Sequence, residues 1–365
     1  MPVKPLAALL LTLAGSAQAQ SIWAPQPTAL SSQVGDYRQL ECPKKVAEPY
    51  TGPLQIDSKY DQSDASRSTL SNKVSARSKE THARIAEFSQ RLAQFADYYL
   101  QAKNAKQAGT ALACIDQWLQ AWAEAGALES RDTSKTGMAA RKWTLAAIAS
   151  TLLKTQAVSG GQPQLSSAQK QWLQRLAELM MADYAPRLAP DFAYFNNHDY
   201  WAGWAMAATG MLLGRDDYIA WGERNFRRAL GQISVSPHGD YAYLPNELGR
   251  GRLAANYTHY ALVPLMLLAE SSRLNGPGLS TADQQKLQQL ANFAALSVLD
   301  ERALSELRGQ PQYPVPPYKM VWLLPFLSQY PQHKQARHLY TNVGVAADGY
   351  SQLGGRLAPL YPDVH

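Results

Sequence analysis

The sequence predicts an all-α protein, and three observations carry that reading. Apolar residues recur at helical spacing in segment after segment, alternating strand patterns of useful length are nearly absent, and Ala, Leu and Gln dominate the periodic stretches. Residues 20–80 come first. They are rich in Pro, Gly, Ser and Asp without sustained periodicity, and read as an extended segment with a polar lid loop at about 57–73. Helices follow over 81–103 and 109–126, marked off by Gly109 and Gly126. A third over 137–157 stops before Gly160-Gly161, and a fourth over 166–185 stops at Pro186. Helices over 199–213 and 216–232 are separated by Gly214 and closed by Pro237-His238-Gly239. The helix over 257–274 ends at Gly276-Pro277-Gly278, 281–299 follows it, and 319–330 comes after the Pro-rich stretch 311–317. Short connections predict antiparallel hairpins, closed into a toroid or stacked as a solenoid. The lack of a fixed repeat period disfavours the solenoid. Nothing marks a domain boundary inside 81–330.

Lys4, an apolar run from Leu6 to Leu13, and small residues ending Ala17-Gln18-Ala19 have the layout of a cleaved export signal over 1–19, with the mature chain starting at Gln20. No later stretch reaches the roughly 18 apolar residues that a membrane span requires. The net charge of +6 favours an acidic partner. That partner is a nucleic acid, an anionic membrane or an acidic polysaccharide, and export with the absence of a polybasic run demotes nucleic acid. In an oxidising compartment Cys42 and Cys114 read as one structural disulfide, contributing about 4 kcal/mol on a chain-entropy model. The competing reading, a catalytic thiol, has no local signature. The 19 Tyr and 9 Trp suit sugar stacking, although Trp118, Trp122, Trp172 and Trp221 read as helix-packing residues.

Three constellations carry possible chemistry. Asn196-Asn197-His198-Asp199-Tyr200-Trp201 opens a helix, and its amides offer uncharged donors to a carboxylate. Leu244-Pro245-Asn246-Glu247-Leu248-Gly249-Arg250 precedes Tyr257-Thr258-His259-Tyr260. On a continuous helix Arg250 and Tyr257 share a face, putting a guanidinium beside a phenol. The lid loop carries Lys59, Tyr60 and Arg67. Asp199 and Glu247 also suggest a glycosidase carboxylate pair, whose separation sequence does not give. There is no H-E-x-x-H, G-x-S-x-G, Walker A or G-x-G-x-x-G motif, and the seven His have no metal-ligand spacing, so no metal and no cofactor is expected.

Taken in order, P-Y-T-G-P-L at 49–54, S-K-Y-D-Q-S-D at 58–64, C-I-D-Q-W at 114–118, S-K-T-G-M-A-A-R-K-W at 134–143, N-N-H-D-Y-W at 196–201, L-P-N-E-L-x-R at 244–250 and Y-T-H-Y-A-L at 257–262 strongly resemble the alginate lyases of polysaccharide lyase family 5. The resemblance runs from about residue 36 to 270, with an L-G-G echo at 353–355. It implies an incomplete (α/α) toroid with a deep cleft over 81–365, a periplasmic location, and β-elimination of poly-β-D-mannuronate to 4,5-unsaturated ends. A monomer is the default. The implied catalytic set falls on Asn197, His198, Arg250 and Tyr257. Lys59, Tyr60, Arg141, Trp143, Trp201 and Tyr260 are the implied substrate contacts. Two departures from the family pattern are a longer stretch around Ser234 to Tyr243 and Gly251-Arg252-Leu253 in place of a more basic segment.

Elimination removes the C5 proton α to a carboxylate, which is feasible once that carboxylate is neutralised by groups such as Asn197, His198 and Arg250. In mannuronate the C5 hydrogen and the C4 oxygen share a ring face, so Tyr257, deprotonated in a cationic site, can take one proton and protonate the other atom. A variant makes His198 the base and Tyr257 the acid. The alternatives to a mannuronate lyase are a broader polyuronate lyase acting on polyglucuronate or hyaluronan, and a non-catalytic polysaccharide-binding protein of an export assembly.

Overall fold

Several of the helices begin where a capping side chain precedes an apolar stripe, each such cap being worth about 1 kcal/mol. The computed structural model describes residues 19–364, so the expected export signal lies, Ala19 apart, outside the described residues. Ser75 accepts from the Ser78 amide to start α1 (Ala76–Gln101), and Asn104 accepts from Gln107 to start α2 (Ala105–Glu124). Ser134 caps α3 (Lys135–Ser159), and Ser166 with Gln169 forms a reciprocal capping box on α4 (Ser167–Tyr184). Asn196 and Asp199 do the same for α5 (Asn197–Leu213). Then come α6 (Asp216–Gln232), the single turn α7 (Pro245–Leu248), α8 (Ala254–Asn275), α9 (Thr281–Leu299), α10 (Leu323–Gln329) and α11 (Lys334–Val343). Gly160 and Gly214 end α3 and α5 in the left-handed region, at φ 71° and 67°.

These helices meet the all-α expectation, and α6 and α9 coincide with the expected ranges 216–232 and 281–299. The expected helix 319–330 is instead a 3-10 turn, Pro317–Met320, followed by α10. Neither α7 nor α11 was anticipated, nor were two minimal antiparallel hairpins, β1 (Ser234–Val235) with β2 (Ala242–Tyr243), and β3 (Gly349–Tyr350) with β4 (Gly355–Arg356).

Burial sorts the helices into two layers. In α3, α5 and α8 buried residues occur on every face, whereas α2, α4 and α6 bury one stripe. The fully buried helices form an inner ring with α1. Each inner helix packs on its outer neighbour in the hairpins α1–α2, α3–α4, α5–α6 and α8–α9, and α1–α3, α3–α5 and α5–α8 close the inner contacts. This is an incomplete (α/α) toroid whose open inner mouth is the cleft. Trp118, Trp122, Trp172 and Trp221 are buried between the layers, as expected. Trp122 stacks on Phe88 with ring centroids 3.7 Å apart and donates from Nε1 to the Ala47 carbonyl at 2.9 Å.

The extended N-terminal segment is pinned along its length. Cys42 is disulfide-bonded to Cys114 of α2, with Cα atoms 4.6 Å apart. Leu54 bridges to Thr133, and the Ile56 amide donates to the Ser134 hydroxyl at 3.0 Å. Gly137 allows that approach, because a Cβ there would overlap the Leu54 carbonyl oxygen. Among the described residues no helix is long and apolar enough to cross a membrane, and no group of three or more His, Cys, Asp or Glu is placed to hold a metal ion.

Candidate active site

The cleft has a volume of about 2390 Å³ and is lined by the lid loop, the open face of α1, the start of α3 and α5, the turn after α7, α8, and the segments 318–319 and 345–356. Its electrostatics are predominantly cationic. The lining carboxylates are engaged elsewhere: Asp57 accepts from Ser75 Oγ at 2.7 Å, Asp97 from Lys154 Nζ at 2.6 Å, Asp183 from Arg141 at 2.7 Å, and Asp348 from the Tyr340 hydroxyl at 2.9 Å. Lys59, Lys135, Arg250 and Lys319 line the same space and form no salt bridge among the described residues. A cleft of this kind attracts a polyanion.

The lid is a folded loop. Tyr60 bridges to Leu70, and Asp64 accepts from the amides of Ser66, Ser68 and Thr69. Those bonds, first of all the one from the Ser66 side chain, hold the Asp64 carboxyl well below the usual range. At the loop tip Arg67 has φ +52°, an uncommon left-handed conformation for a side-chain-bearing residue. The Ser66 and Arg67 carbonyls accept from Arg250 Nε at 2.8 Å and Nη2 at 2.7 Å. Two of the donors expected to grip a substrate carboxylate are therefore clamping the lid.

Arg250 does not share a helix with Tyr257, because α8 begins at Ala254 and Arg250 sits in the turn before it. The chain reversal produces the neighbourhood anyway: the guanidinium carbon lies 3.7 Å from the Tyr257 ring centroid and 5.3 Å from that of Tyr60. The Tyr257 hydroxyl donates to the Tyr60 hydroxyl at 2.7 Å. Burial pushes the Tyr257 phenol up, with Arg250 pulling the other way. The expected depression of this phenol by its cationic site is thus corrected, since desolvation outweighs the nearby charge.

Asn197 is the first residue of α5 and is 1 % exposed. Its amide N donates to Glu247 Oε1 at 2.7 Å and its Nδ2 to both Glu247 oxygens at 3.1 and 2.9 Å, while its Oδ1 is buried without a partner. Burial pushes Glu247 up to about 7, against the bonds from Asn197 and the charge of Arg250. Asp199 is held by Arg187 at 2.5 and 2.7 Å. Both members of the imagined glycosidase pair are therefore committed to other side chains. His198 lines the cleft, its ring 5.5 Å from that of Trp143, whose indole Nε1 is buried without a partner. Burial, then the charge of Lys142, hold His198 well below the ordinary histidine range, as a neutral imidazole.

Among the expected substrate contacts, Lys59, Tyr60, Trp143 and Tyr260 line the cleft, and Arg141 and Trp201 do not. Arg141 turns behind α3 to Asp183 and the carbonyls of Leu128 and Ser130, a buried structural tie. Trp201 is fully buried under Tyr260, with ring centroids 5.2 Å apart, and supports that ring. The longer stretch Ser234 to Tyr243 folds as the β1–β2 hairpin on α9, away from the cleft, tied by Gln289 Nε2 to the Gly239 carbonyl at 2.7 Å. Arg252, in the altered segment, stacks on Tyr313.

Sequence reading missed Lys319. Its Nζ lies 5.3 Å from the Tyr257 ring centroid and 4.9 Å from that of Tyr260, and donates to Asn256 Oδ1. Burial, Lys59 and Arg250 push it down to about 8. Tyr318, Tyr350 and Gln352 complete the same wall. The L-G-G echo was the one sequence signal for it: Gly354 and Gly355 let the chain press against Thr151 and Asp97, where a Cβ would collide.

The alginate lyase family model matches residues 55–304. An alginate lyase of Pseudomonas aeruginosa is 30% identical over 333 residues, covering 88% of this chain and 87% of that protein. One from Cobetia marina is 31% identical over 290 residues, covering 77% and 74%. The solved structure of alginate lyase A1-III from Sphingomonas species A1 superposes with a TM-score of 0.68 at 17% identity, covering 95% of this chain and 97% of that one. A variant of A1-III complexed with tetrasaccharide also superposes with a TM-score of 0.68. With its fold, its cationic cleft and the ordered motifs at 49–262, the chain belongs to the alginate lyase family.

Proposed function

We propose that this alginate lyase acts on mannuronate-rich polymer by β-elimination, in the periplasm and without a cofactor. One observation carries the reading: Asn197, His198, Arg250 and Tyr257, drawn from three separate segments, line one cleft in which cations without a salt bridge outnumber such carboxylates. Arg250 neutralises the uronate carboxylate and Asn197 and the neutral His198 hydrogen-bond to it, so the electrons of the C5–H bond can be held as an enolate-like state. Tyr257 in its phenolate form takes the C5 proton. The C4–O bond then breaks, C4=C5 forms, and the phenol returns its proton to the departing oxygen. Tyr60, which accepts from the Tyr257 hydroxyl and sits in the lid, relays that proton before turnover by giving its own hydroxyl proton to solvent hydroxide. Burial holds the Tyr257 phenol above its ordinary range, so alkaline conditions favour the reaction, the phenolate fraction growing tenfold per pH unit below the midpoint.

Periplasmic residence is supported by the export-like N-terminus and the Cys42–Cys114 bridge. The test is to offer the purified mature chain polymannuronate, polyguluronate and polyglucuronate separately and follow the absorbance of the unsaturated uronate, beside Tyr257→Phe. A rise on polymannuronate that the variant abolishes supports the reading. A rise on polyglucuronate of equal size replaces it with a broader lyase, and no rise on any polymer with the fold intact replaces it with a binding protein.

A further inference from the structure

Lys142 lies in the middle of the inner ring, fully buried, and the mechanism above does not use it. A lysine that only packs reaches water or meets a carboxylate, because an isolated buried ammonium is expensive. Lys142 does neither among the described residues: it forms no salt bridge, and its Nζ meets His198 Nδ1 at 3.1 Å and the His198 carbonyl at 3.2 Å. The faces of Trp143 and Tyr184 lie 4.6 and 5.1 Å away. A carbonyl oxygen and two aromatic faces are all acceptors, and a lysine ammonium has three N–H donors and no acceptor. With the two ring faces and Asp199 favouring the ammonium over the neutral amine, which would have a lone pair to accept with, the remaining partner Nδ1 is the acceptor.

We propose that Lys142 is a positioning residue that donates to His198 Nδ1 and so fixes the ring as the Nε2–H tautomer, presenting a hydrogen-bond donor, and no basic nitrogen, to the cleft. The tautomer of a histidine is set by the bond its other nitrogen makes. Locked this way, His198 stabilises the uronate carboxylate and cannot take the C5 proton, which leaves that step to Tyr257. Only this last consequence rests on the elimination reading above. The charged and titratable groups around the pair are Asp199 on α5, Arg187 and Tyr184 on the α4 side, and Arg250 on the α7–α8 turn. Burial pushes the Lys142 ammonium down, with Asp199 and the two aromatic faces pulling the other way, and burial, then the cations Lys142, Arg187 and Arg250, oppose protonation of the ring.

The experiment is nitrogen NMR on the ligand-free full-length mature chain with labelled histidine, the His198 ring assigned by its loss in His198→Gln. The expected wild-type signal is a protonated Nε2 and a bare Nδ1, unchanged from pH 5 to 9. Lys142→Met is expected to give a mixture of tautomers and to raise the titration midpoint of His198 by about one pH unit or more, with kcat on polymannuronate falling on the order of 10-fold. A wild-type ring with bare Nε2 overturns the proposal, and so does a Lys142→Met spectrum identical to the wild type. Should Lys142→Met fail to fold, Lys142→Arg, which keeps an N–H donor, must retain the wild-type tautomer, and a switched one overturns the proposal. Since the tautomer is read without polymer, absence of lyase activity would sink the function reading and leave this measurement standing.

Discussion

Glu247 controls what Asn197 can offer a substrate, and Glu247→Gln tests it. While Glu247 is ionised it holds both Asn197 nitrogens, at 2.7 Å for the backbone and 2.9 and 3.1 Å for Nδ2, and the spare atom of the amide is the oxygen Oδ1. An amide oxygen and a uronate carboxylate repel. Protonated Glu247, or glutamine in its place, supplies a donor to Oδ1, so the amide turns over and frees Nδ2 for the substrate. A hydrogen bond to a charged group contributes about 1.5–3 kcal/mol, on the order of 10- to 100-fold in rate. Burial pushes Glu247 up to about 7, so the wild type carries the favourable amide below that pH and loses it above.

The phenolate fraction of Tyr257 rises with pH in both proteins and cancels in their ratio. The expected ratio of kcat/KM for Glu247→Gln over wild type on polymannuronate is therefore near one at pH 5 to 6, and grows through pH 7 to roughly 10-fold or more at pH 9. Initial rates of unsaturated uronate formation across that range measure it. A ratio flat with pH would refute the reasoning, whatever its absolute value, because it would mean that the ionisation of Glu247 does not reach the reaction.

Glu270 is buried with one donor, the Tyr361 hydroxyl at 2.8 Å, and burial pushes it from 4.5 up to about 7. Its folded form keeps the proton that the unfolded chain releases, so this group stabilises the fold below about pH 4.5 and loses about 3 kcal/mol of that contribution as pH rises to 7. Denaturant melts at pH 5 and 8 should show Glu270→Gln gaining relative to wild type at the higher pH; an equal difference at both would refute it. His259, pushed down to about 4 by burial, acts in the opposite sense, losing stability as pH falls from 6.5 through 4, and it is common to both proteins. Gly137→Ala should destabilise by about 1–3 kcal/mol in urea titrations. It should also raise KM for polymannuronate, because the Leu54–Ser134 tie it breaks anchors the chain leading into the lid. The paired Cys42→Ser and Cys114→Ser substitutions should cost about 2–4 kcal/mol and make the unfolding midpoint insensitive to reductant.

The helices were legible because their signals are local. Ser166 with Gln169, Asn196 with Asp199, and Gly160 and Gly214 each act within one turn of the residue that carries the signal. Where the outcome depends on distant packing, the local signal fails. α11 buries only Ala336 and Leu339 and is held by neighbours from other parts of the chain, so its pattern is thin. Lys319 sits after a Pro-rich stretch and acquires its place only when Pro317–Met320 docks on α8. Arg250 and Tyr257 were paired on the assumption of one helix. They meet because the chain turns between them, with Gly251 at φ 56°, so the neighbourhood held while its stated cause did not.

The misplacement of Arg141 has a more general cause. In an amphipathic outer helix the polar face announces the solvent, and a polar residue out of phase announces a site. In α3 nearly every residue from Ala139 to Ser159 is buried, so apolar periodicity is erased and Arg141, Lys142 and Trp143 look equivalent in sequence. Consecutive residues on a helix point about 100° apart. Arg141 turns back to Asp183, Lys142 to the His198 ring, and Trp143 into the cleft. The inner ring of a toroid supplies much of the cleft lining, and it is also where binary patterning carries the least information about direction. What does discriminate is satisfaction of polar groups: Arg141 meets a carboxylate and two carbonyls, while Trp143 Nε1 and Asn197 Oδ1 are buried without partners. A buried polar atom without a partner costs about 1–3 kcal/mol. With Arg67 Nη1, three such atoms belong to cleft-lining residues and are a reserve of hydrogen-bonding capacity that a bound sugar can satisfy.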